Sequence, residues 1–308
     1  MNLSTFELFK SLRNEGETIE LSPLQLKQLQ NCLFEILLDI DKICQKERIS
    51  YLLSGGTALG AFRHRGFIPW DDDLDINMTR KDFNRFYESF QKEYEGKYAV
   101  QYPGITKNYF LPCGRVRLKN SIYVTRGEEN EKEKGIFVDI FIIENVPNSY
   151  LLRSFHGILC LGFGFLLSCR MFYKNRSSYR RLLSGISSAK KVFWIKNTIG
   201  FIISWGTPRF WIKIVNKVYG LCKNDKSNLV SIPSGRKHYF GELYSRDGFC
   251  SSQPIEFEGH LFPVSKDLKD YFTKLYGKDY MTPPPPEKRE KHLIFEFKLP
   301  EDFQKERE

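Results

Sequence analysis

The sequence predicts an α+β protein in which a mixed β-sheet is flanked by helices and interrupted by a basic helical insertion. Three observations carry that expectation. Apolar residues recur at helical spacing over residues 21–46, a nearly unbroken β-rich run (GIFVDIFII) spans residues 135–143, and residues 150–224 hold 13 Lys and Arg with no Asp or Glu. The net charge of +10 over 308 residues is therefore concentrated there, since the rest of the chain has 34 basic against 37 acidic residues. With 41% hydrophobic and 27% charged residues the composition is globular, which excludes collagen-like and disordered classes and leaves ample chain for a core.

In order along the chain, Leu26, Leu29, Leu33, Ile36, Leu37, Ile40 and Ile43 share one helical face, and Ser22-Pro23 supplies a helix start. Residues 49–53 read as a short strand running into Ser54-Gly55-Gly56. Within the basic block, residues 157–169 and 192–205 are the most apolar stretches, both shorter than the roughly 20 residues of a membrane span. Residues 255–262 are strand-like, residues 266–276 helix-like, and Tyr276-Gly277 forms a turn. Four prolines at 283–286 exclude regular helix or central strand. The expected parts are an amino-terminal helical segment (1–48), a core (49–149), the basic apolar insertion (150–230) and a carboxy-terminal part of the same domain (231–308).

Seven cysteines are scattered and include no CxxC pair, which predicts reduced, mostly buried thiols. The amino-terminal MNLSTFELFKSLRNEGE has early acids and no apolar stretch before a cleavage site, so no signal peptide is expected and a reducing cytoplasm fits. The basic block suits two arrangements: an interfacial helix pair on the anionic inner face of a membrane, or a helical subdomain with a solvated basic face. No helix-turn-helix or RNA-recognition signature accompanies the charge, and no nucleic-acid partner is expected.

The chemistry concentrates in residues 51–86, YLLSGGTALGAFRHRGFIPWDDDLDINMTRKDFNRF. Asp73 and Asp75 straddle Leu74. On a strand over 73–76 both carboxylates share one face while Leu74 and Ile76 take the other. Two carboxylates on one face repel unless a divalent cation lies between them, and hard oxygen ligands suit Mg²⁺ or Mn²⁺ better than zinc. Asp71 and Asp72, after Pro69-Trp70, serve equally well as turn residues. Asp139 sits in the middle of the apolar run at 135–143, where a carboxylate must be ion-paired, hydrogen-bonded or metal-bound. As a third acid beside Asp73 and Asp75 it completes a site. In Ser54-Gly55-Gly56-Thr57, glycines after a strand let backbone N–H groups approach a phosphate at a helix start.

The stretch SGGTALGAFRHRGFIPWDDDLDI resembles the signature of the LicD family of phosphocholine transferases, which also includes fukutin and fukutin-related protein. That family belongs to the polymerase-beta-like nucleotidyltransferase superfamily, so the resemblance implies a nucleotidyltransferase-like core. Its glycine pair corresponds to Gly55-Gly56, its acid-x-acid pair to Asp73-Leu74-Asp75 and its later acid to Asp139. FGELYSRDGF (240–249), IEFEGHLFPV (255–264) and DLKDYFTKLYGKDYMTPPPPEKREKH (267–292) are similar to the family's carboxy-terminal half, whereas residues 150–224 lie outside the strong match.

The resemblance implies metal-dependent transfer of phosphocholine or a polyol phosphate from a CDP-linked donor to a glycan hydroxyl, in lipopolysaccharide or teichoic acid biosynthesis, with CMP leaving. Asp73, Asp75 and Asp139 would hold Mg²⁺ or Mn²⁺, and Asp139 is also placed to take the acceptor proton. Arg63, His64, Arg115 and Arg117 are candidates for the donor phosphates, with exposed basic residues as the ordinary alternative. His292 either lines the site or is an ordinary histidine, and Trp70 shapes the acid loop or anchors it. A CTP-dependent nucleotidyltransferase releasing pyrophosphate and a non-catalytic membrane scaffold are the alternatives.

Overall fold

The computed structural model describes residues 18–128, 131–183 and 187–304; residues 1–17 of the expected amino-terminal helical segment lie outside them. The first half runs α1 (Pro23–Glu47), β1 (Leu52–Leu53), α2 (Gly55–His64), β2 (Asp75–Thr79), α3 (Arg80–Glu93), β3 (Tyr98–Gln101), β4 (Gly114–Leu118), β5 (Ile122–Thr125) and β6 (Phe137–Val146). Helices α4 (Tyr150–Lys174), α5 (Arg176–Leu182), α6 (Ser187–Ile202) and α7 (Pro208–Tyr219) follow. The chain then forms β7 (Leu229–Ser231), α8 (His238–Gly241), β8 (Leu243–Ser245), α9 (Arg246–Phe249), β9 (Ser252–Phe257), β10 (His260–Ser265), α10 (Leu268–Tyr276), β11 (Ile294–Lys298) and α11 (Glu301–Gln304).

Helix α1 starts where Ser22 and Gln25 form a reciprocal capping box, each side chain accepting the other's backbone N–H at 3.2 and 2.9 Å. Its buried stripe from Leu29 to Ile43 is the predicted apolar face, with Leu26 half-buried at its edge. Arg48 ends it in a left-handed conformation that turns the chain toward β1.

The main sheet is mixed, in the order β1-β2-β6-β4-β3, with β2 and β6 parallel and the other pairs antiparallel. The far end of β6 pairs with β7, and β7 with β8. One face, carrying Ile76, Met78, Val138, Ile140, Ile142 and Val116, is fully buried, with α1 and α3 against it. Because aligned partners in a ladder share a face, Asp75, Asp139, Arg115 and Gln101 form one row across the other face.

Four expected elements shift, the first being the strand expected over 49–53, which is only Leu52–Leu53. The strand expected over 73–76 begins at Asp75 and runs to Thr79, so Asp73 lies in its extended lead-in, although Leu74 and Ile76 are both fully buried. The run at 255–262 is two strands, not one: Glu258 and Gly259, at φ 48° and 78°, make a two-residue hairpin turn between β9 and β10. The helix expected over 266–276 begins at Leu268.

Helix α4 packs against α6 and α7 around a second apolar cluster that includes Val146, Cys160, Leu167, Trp211 and Ile212. Helix α7 opens on Thr207, whose hydroxyl accepts the Phe210 N–H, with Pro208 in the first turn. All seven cysteines are free, and burial pushes thiols such as Cys32 and Cys169 up to about 12 and about 11, away from reactivity.

Candidate active site

Asp75, Arg115 and Gln101 of that row line the floor of a cleft of 2260 Å³, walled on one side by α4 and on the other by the segment after α10, while Asp139 lies under the Arg115 guanidinium and does not line it. The row's first end is clamped at the start of β2. Asp75 donates its backbone N–H to the Thr57 hydroxyl (2.9 Å), and its carbonyl accepts the Ser54 N–H (3.0 Å). The start of α2 is thereby pressed against the carboxylates. A Cβ at Gly55, where φ is +51°, would lie 3.2 Å from Asp75 Oδ2, and one at Gly56 would lie 2.7 Å from Asp71 Oδ2. Both glycines are required by that approach, which sets two carboxylates at the positive end of a helix.

Ser54, Gly55 and Thr57 are otherwise engaged. The Tyr271 hydroxyl, from α10, meets Ser54 Oγ at 2.9 Å and accepts the Gly55 N–H at 2.8 Å, while the Thr57 hydroxyl serves Asp75. These groups build the site's frame. Where the sequence suggested phosphate ligands, these polar groups are held here by Tyr271 and Asp75.

The acid loop is fastened through its backbone. Gln30 Nε2 donates to the Asp71 carbonyl and the Tyr123 hydroxyl to the Asp72 carbonyl, both at 3.0 Å. Half-buried Trp70 packs on the core and carries the Arg289 guanidinium 3.9 Å above its ring, so it anchors the loop and ties it to the opposite wall.

His292 completes the cluster. Its backbone N–H donates to Asp72 Oδ2 and its Nδ1 meets Asp72 Oδ1, both at 2.9 Å, with Asp73 Oδ2 at 3.8 Å from the same nitrogen. Burial works against protonation of His292. The Asp72 charge and hydrogen bond, with Asp73 and Asp139, nevertheless push it up to about 10.

Burial, then the charges of the neighbouring aspartates, holds Asp71 and Asp75 well above the usual carboxylate range. Burial pushes Asp73 up to about 6, with His292 pulling the other way. Among the described residues no side chain donates a hydrogen bond to the Asp71 or Asp75 carboxylate. Oxygen-rich and short of counter-charge, this set fits a hard divalent cation. The ligand atoms of Asp72, Asp73 and His292 also lie within 4.8 Å of one another, but His292 could join a metal there only after losing the proton that Asp72 stabilises.

Asp139 is placed differently from the expectation of a free third ligand. Arg115 forks onto it, Nε to Oδ1 at 2.5 Å and Nη2 to Oδ2 at 2.8 Å. Arg115 and Arg117, expected at the donor phosphates, are both buried and both bond Glu128. Arg117 also donates to Gln101 Oε1 and the Gly135 carbonyl, each at 2.9 Å, and Arg115 lies over the Phe137 ring. A guanidinium desolvated in a strand must find acceptors inside the protein, and here it has found them.

Arg63 is half-buried on the cleft wall, donating to the Tyr280 carbonyl (3.1 Å) and to His64 Nε2 (2.9 Å). His64 itself is exposed and outside the cleft lining.

Sequence reasoning missed Glu128, Tyr271, Asn77, Arg236 and Glu242, all of which line the cleft. Asn77 was findable, standing two residues after Asp75 on the same face of β2; the others come from distant segments with no local signal. Buried Glu242 accepts the Lys237 N–H at 2.8 Å, and burial pushes its carboxyl from 4.5 to about 7. A carboxyl raised on folding contributes stability below about pH 4.5 that is lost as pH rises through about 7. Glu242→Gln, which keeps the oxygen acceptor, is expected to exceed the wild type in stability at pH 8 by on the order of 3 kcal/mol, with the gap closing near pH 5. Denaturant titrations at the two pH values read this directly, and an equal difference at both would refute it.

Comparison with known proteins agrees with this layout. Residues 48–154 match the family model described as LicD/FKTN/FKRP, nucleotidyltransferase domain. The lipopolysaccharide cholinephosphotransferase LicD of Haemophilus influenzae is 34% identical over 159 residues, 48% of this chain and 55% of that protein. Uncharacterized proteins of Rickettsia typhi and Rickettsia prowazekii are 30% identical over 149 residues (46% of this chain, 44% of that one) and 28% identical over 145 (45% and 51%). The chain spans about half the length of the curated relatives it matches. The family match takes in β1, α2, the acid loop, β2 and β6, hence Gly55, Gly56, Asp73, Asp75 and Asp139. Residues 48–154, which hold the acid loop, are thus similar to the nucleotidyltransferase domain of the LicD/FKTN/FKRP family.

Proposed function

We propose that this protein is a metal-dependent phosphotransferase that moves phosphocholine or a polyol phosphate from a CDP-linked donor to a hydroxyl of a cell-surface or lipid-linked glycan, releasing CMP. The observation that carries the reading is the convergence of Asp71, Asp73 and Asp75 with the amino terminus of α2 in one cleft. The name of the Haemophilus relative, a lipopolysaccharide cholinephosphotransferase, supports choline as the head group and a lipopolysaccharide-type acceptor.

Asp73 and Asp75, with Asp139 beside them on the sheet, would hold Mg²⁺ or Mn²⁺, which supplies charge neutralisation for the donor diphosphate. The chain's own residues do the rest. Arg63 faces the acid loop from the cleft wall as a cation for a donor phosphate, and His292, kept protonated by Asp72, offsets part of the carboxylate charge. Arg115 fixes the orientation of Asp139. The acceptor oxygen attacks the distal phosphorus, the bridging oxygen leaves with CMP, and the acceptor proton passes to a carboxylate of the cluster. In this reading residues 49–149 and 231–308 form the catalytic body, and the basic insertion holds the enzyme peripherally at the inner membrane face.

Product analysis tests it. The protein is incubated with Mg²⁺ or Mn²⁺, cell-envelope glycan extract and, in turn, CDP-choline, CDP-ribitol, CDP-glycerol or CTP. CMP release that requires both metal and extract is expected from one CDP-linked donor. Pyrophosphate released from CTP would replace the reading with a nucleotidyltransferase, and no product from any donor would remove it.

A further inference from the structure

We infer that the outward face of α4 seats on an anionic bilayer surface and that the acceptor enters the cleft as a lipid-anchored molecule. Helix α4 is apolar on more than one side, so packing on the protein accounts for only part of it. Its inner face is occupied: Gly157 lies against Tyr239 and Phe240 of α8, Gly164 against Tyr219 of α7, and His156 bonds the Val218 carbonyl at 2.8 Å. Its outer face is bare. Leu151, Leu152, Phe155 and Ile158 are 76%, 61%, 61% and 62% exposed, and their spacing places them on one stripe. Leu161, 40% exposed, continues that stripe and also lines the catalytic cleft, so a continuous apolar path runs from the outer surface to the cleft mouth.

The surroundings favour a membrane as the occupant. Of 19 large apolar residues exposed among the described residues, 12 fall within residues 150–224, a quarter of the chain. Single exposed apolar residues are ordinary, but this concentration is not. Trp194 and Trp205, of a residue type that favours the boundary between water and lipid, are among them. The block has 13 basic residues and no acid, and Arg209, Lys213 and Lys217 stand exposed at intervals of four on α7. Apolar burial and attraction to anionic headgroups would therefore act together. Only 33% of the most apolar part of α4 is buried, unlike the core helix of a soluble protein. Helix α4 is long and apolar enough to cross a bilayer, but with α6 and α7 packed along one side of it the bare stripe is suited to lie on a surface.

The docking half of this inference is independent of the reaction; the acceptor half rests on the phosphotransferase reading. The full chain is floated with vesicles of phosphatidylcholine alone and of phosphatidylcholine with roughly one third phosphatidylglycerol. Wild type is expected to rise with the anionic vesicles, less so as salt is added. The pair Phe155→Glu and Ile158→Glu is expected to reduce that fraction by about tenfold or more, with an unchanged melting profile. Should those charges unfold the helix, the milder pair Leu151→Ser and Leu152→Ser, on its first turn, gives the same comparison. Wild type that stays unbound with both vesicles, or variants that float as well as wild type, would overturn docking.

For the acceptor, CMP release is compared between glycolipid embedded in anionic vesicles and the same glycan freed of its lipid. Preference for the embedded form, lost in the variants, is expected. Equal turnover of both forms by wild type would overturn the acceptor assignment. Flotation without CMP release from either form would remove the phosphotransferase reading, and the acceptor assignment with it, while docking stands.

Discussion

Asp75→Asn is expected to lower CMP release by about a thousandfold or more while making the metal-free protein melt at a higher temperature than wild type. The first effect follows from the charge that the site must neutralise in the transition state: several kcal/mol of stabilisation, at 1.36 kcal/mol per tenfold in rate, is on the order of 10³. The second follows from the carboxyl's surroundings. Burial, and then Asp73, Asp139 and Asp71, hold Asp75 well above its ordinary range. Any stability contributed by a raised carboxyl is present at low pH and lost as pH rises, so above its ordinary range the Asp75 carboxyl is a cost to the fold.

Asparagine keeps the shape and the backbone bonds to Thr57 and Ser54 but removes that carboxyl. Magnesium should then raise the melting temperature of wild type and leave the variant unmoved. Thermal melts with chelator and with Mg²⁺, set beside turnover, test all three statements. A variant that keeps activity, or that gains as much from Mg²⁺ as wild type does, would remove Asp75 from the metal site.

The parts of the site legible in the sequence were those written along a single strand. Leu74 and Ile76 alternate with Asp73 and Asp75, and the alternation placed both carboxylates correctly opposite the buried pair even though the strand itself starts later. Asp139 stood out as one charge in an apolar run. Contacts made across strands left no such trace. Arg115 reaches Asp139 from 24 positions away, and His292 reaches Asp72 from 220. Spacing along the chain carries no information about either register.

The ambiguity at Asp71 and Asp72 has a structural basis, because each shapes the loop through its backbone and faces the acid cluster through its side chain. Their carbonyls accept from Gln30 and Tyr123 to shape the loop, while the Asp71 carboxylate lies against Gly56 and that of Asp72 holds His292. In the basic block, one-dimensional pattern showed apolar residues at helical spacing. Which of them are covered depends on where α7 and α8 come to rest, and only three dimensions show that the stripe from Leu151 to Leu161 stays open.

Arg115→Met is expected to destabilise the fold by on the order of 3–5 kcal/mol, the cost of removing one partner from a buried ionic cluster. Arg115 is 5% exposed at its side chain, and it answers two carboxylates, Asp139 at 16% and Glu128 at 13%. Methionine fills much of the volume but leaves both acids without that counter-charge, and Arg117 alone remains beside Glu128. Arg115→Lys keeps a charge but cannot reproduce a fork to Asp139 together with the bond to Glu128, so an intermediate loss is expected. Because Arg115 lines the cleft and its fork also orients Asp139 beside Asp75 in the sheet, both variants should lose turnover even at temperatures where they remain folded. A direct phosphate ligand behaves otherwise, with little change in stability and a weaker donor interaction. Denaturant titration of the two variants, paired with CMP release, separates the roles: wild-type stability with raised KM would restore Arg115 to the donor phosphates, whereas graded loss of stability from Lys to Met would place it in the frame that holds Asp139.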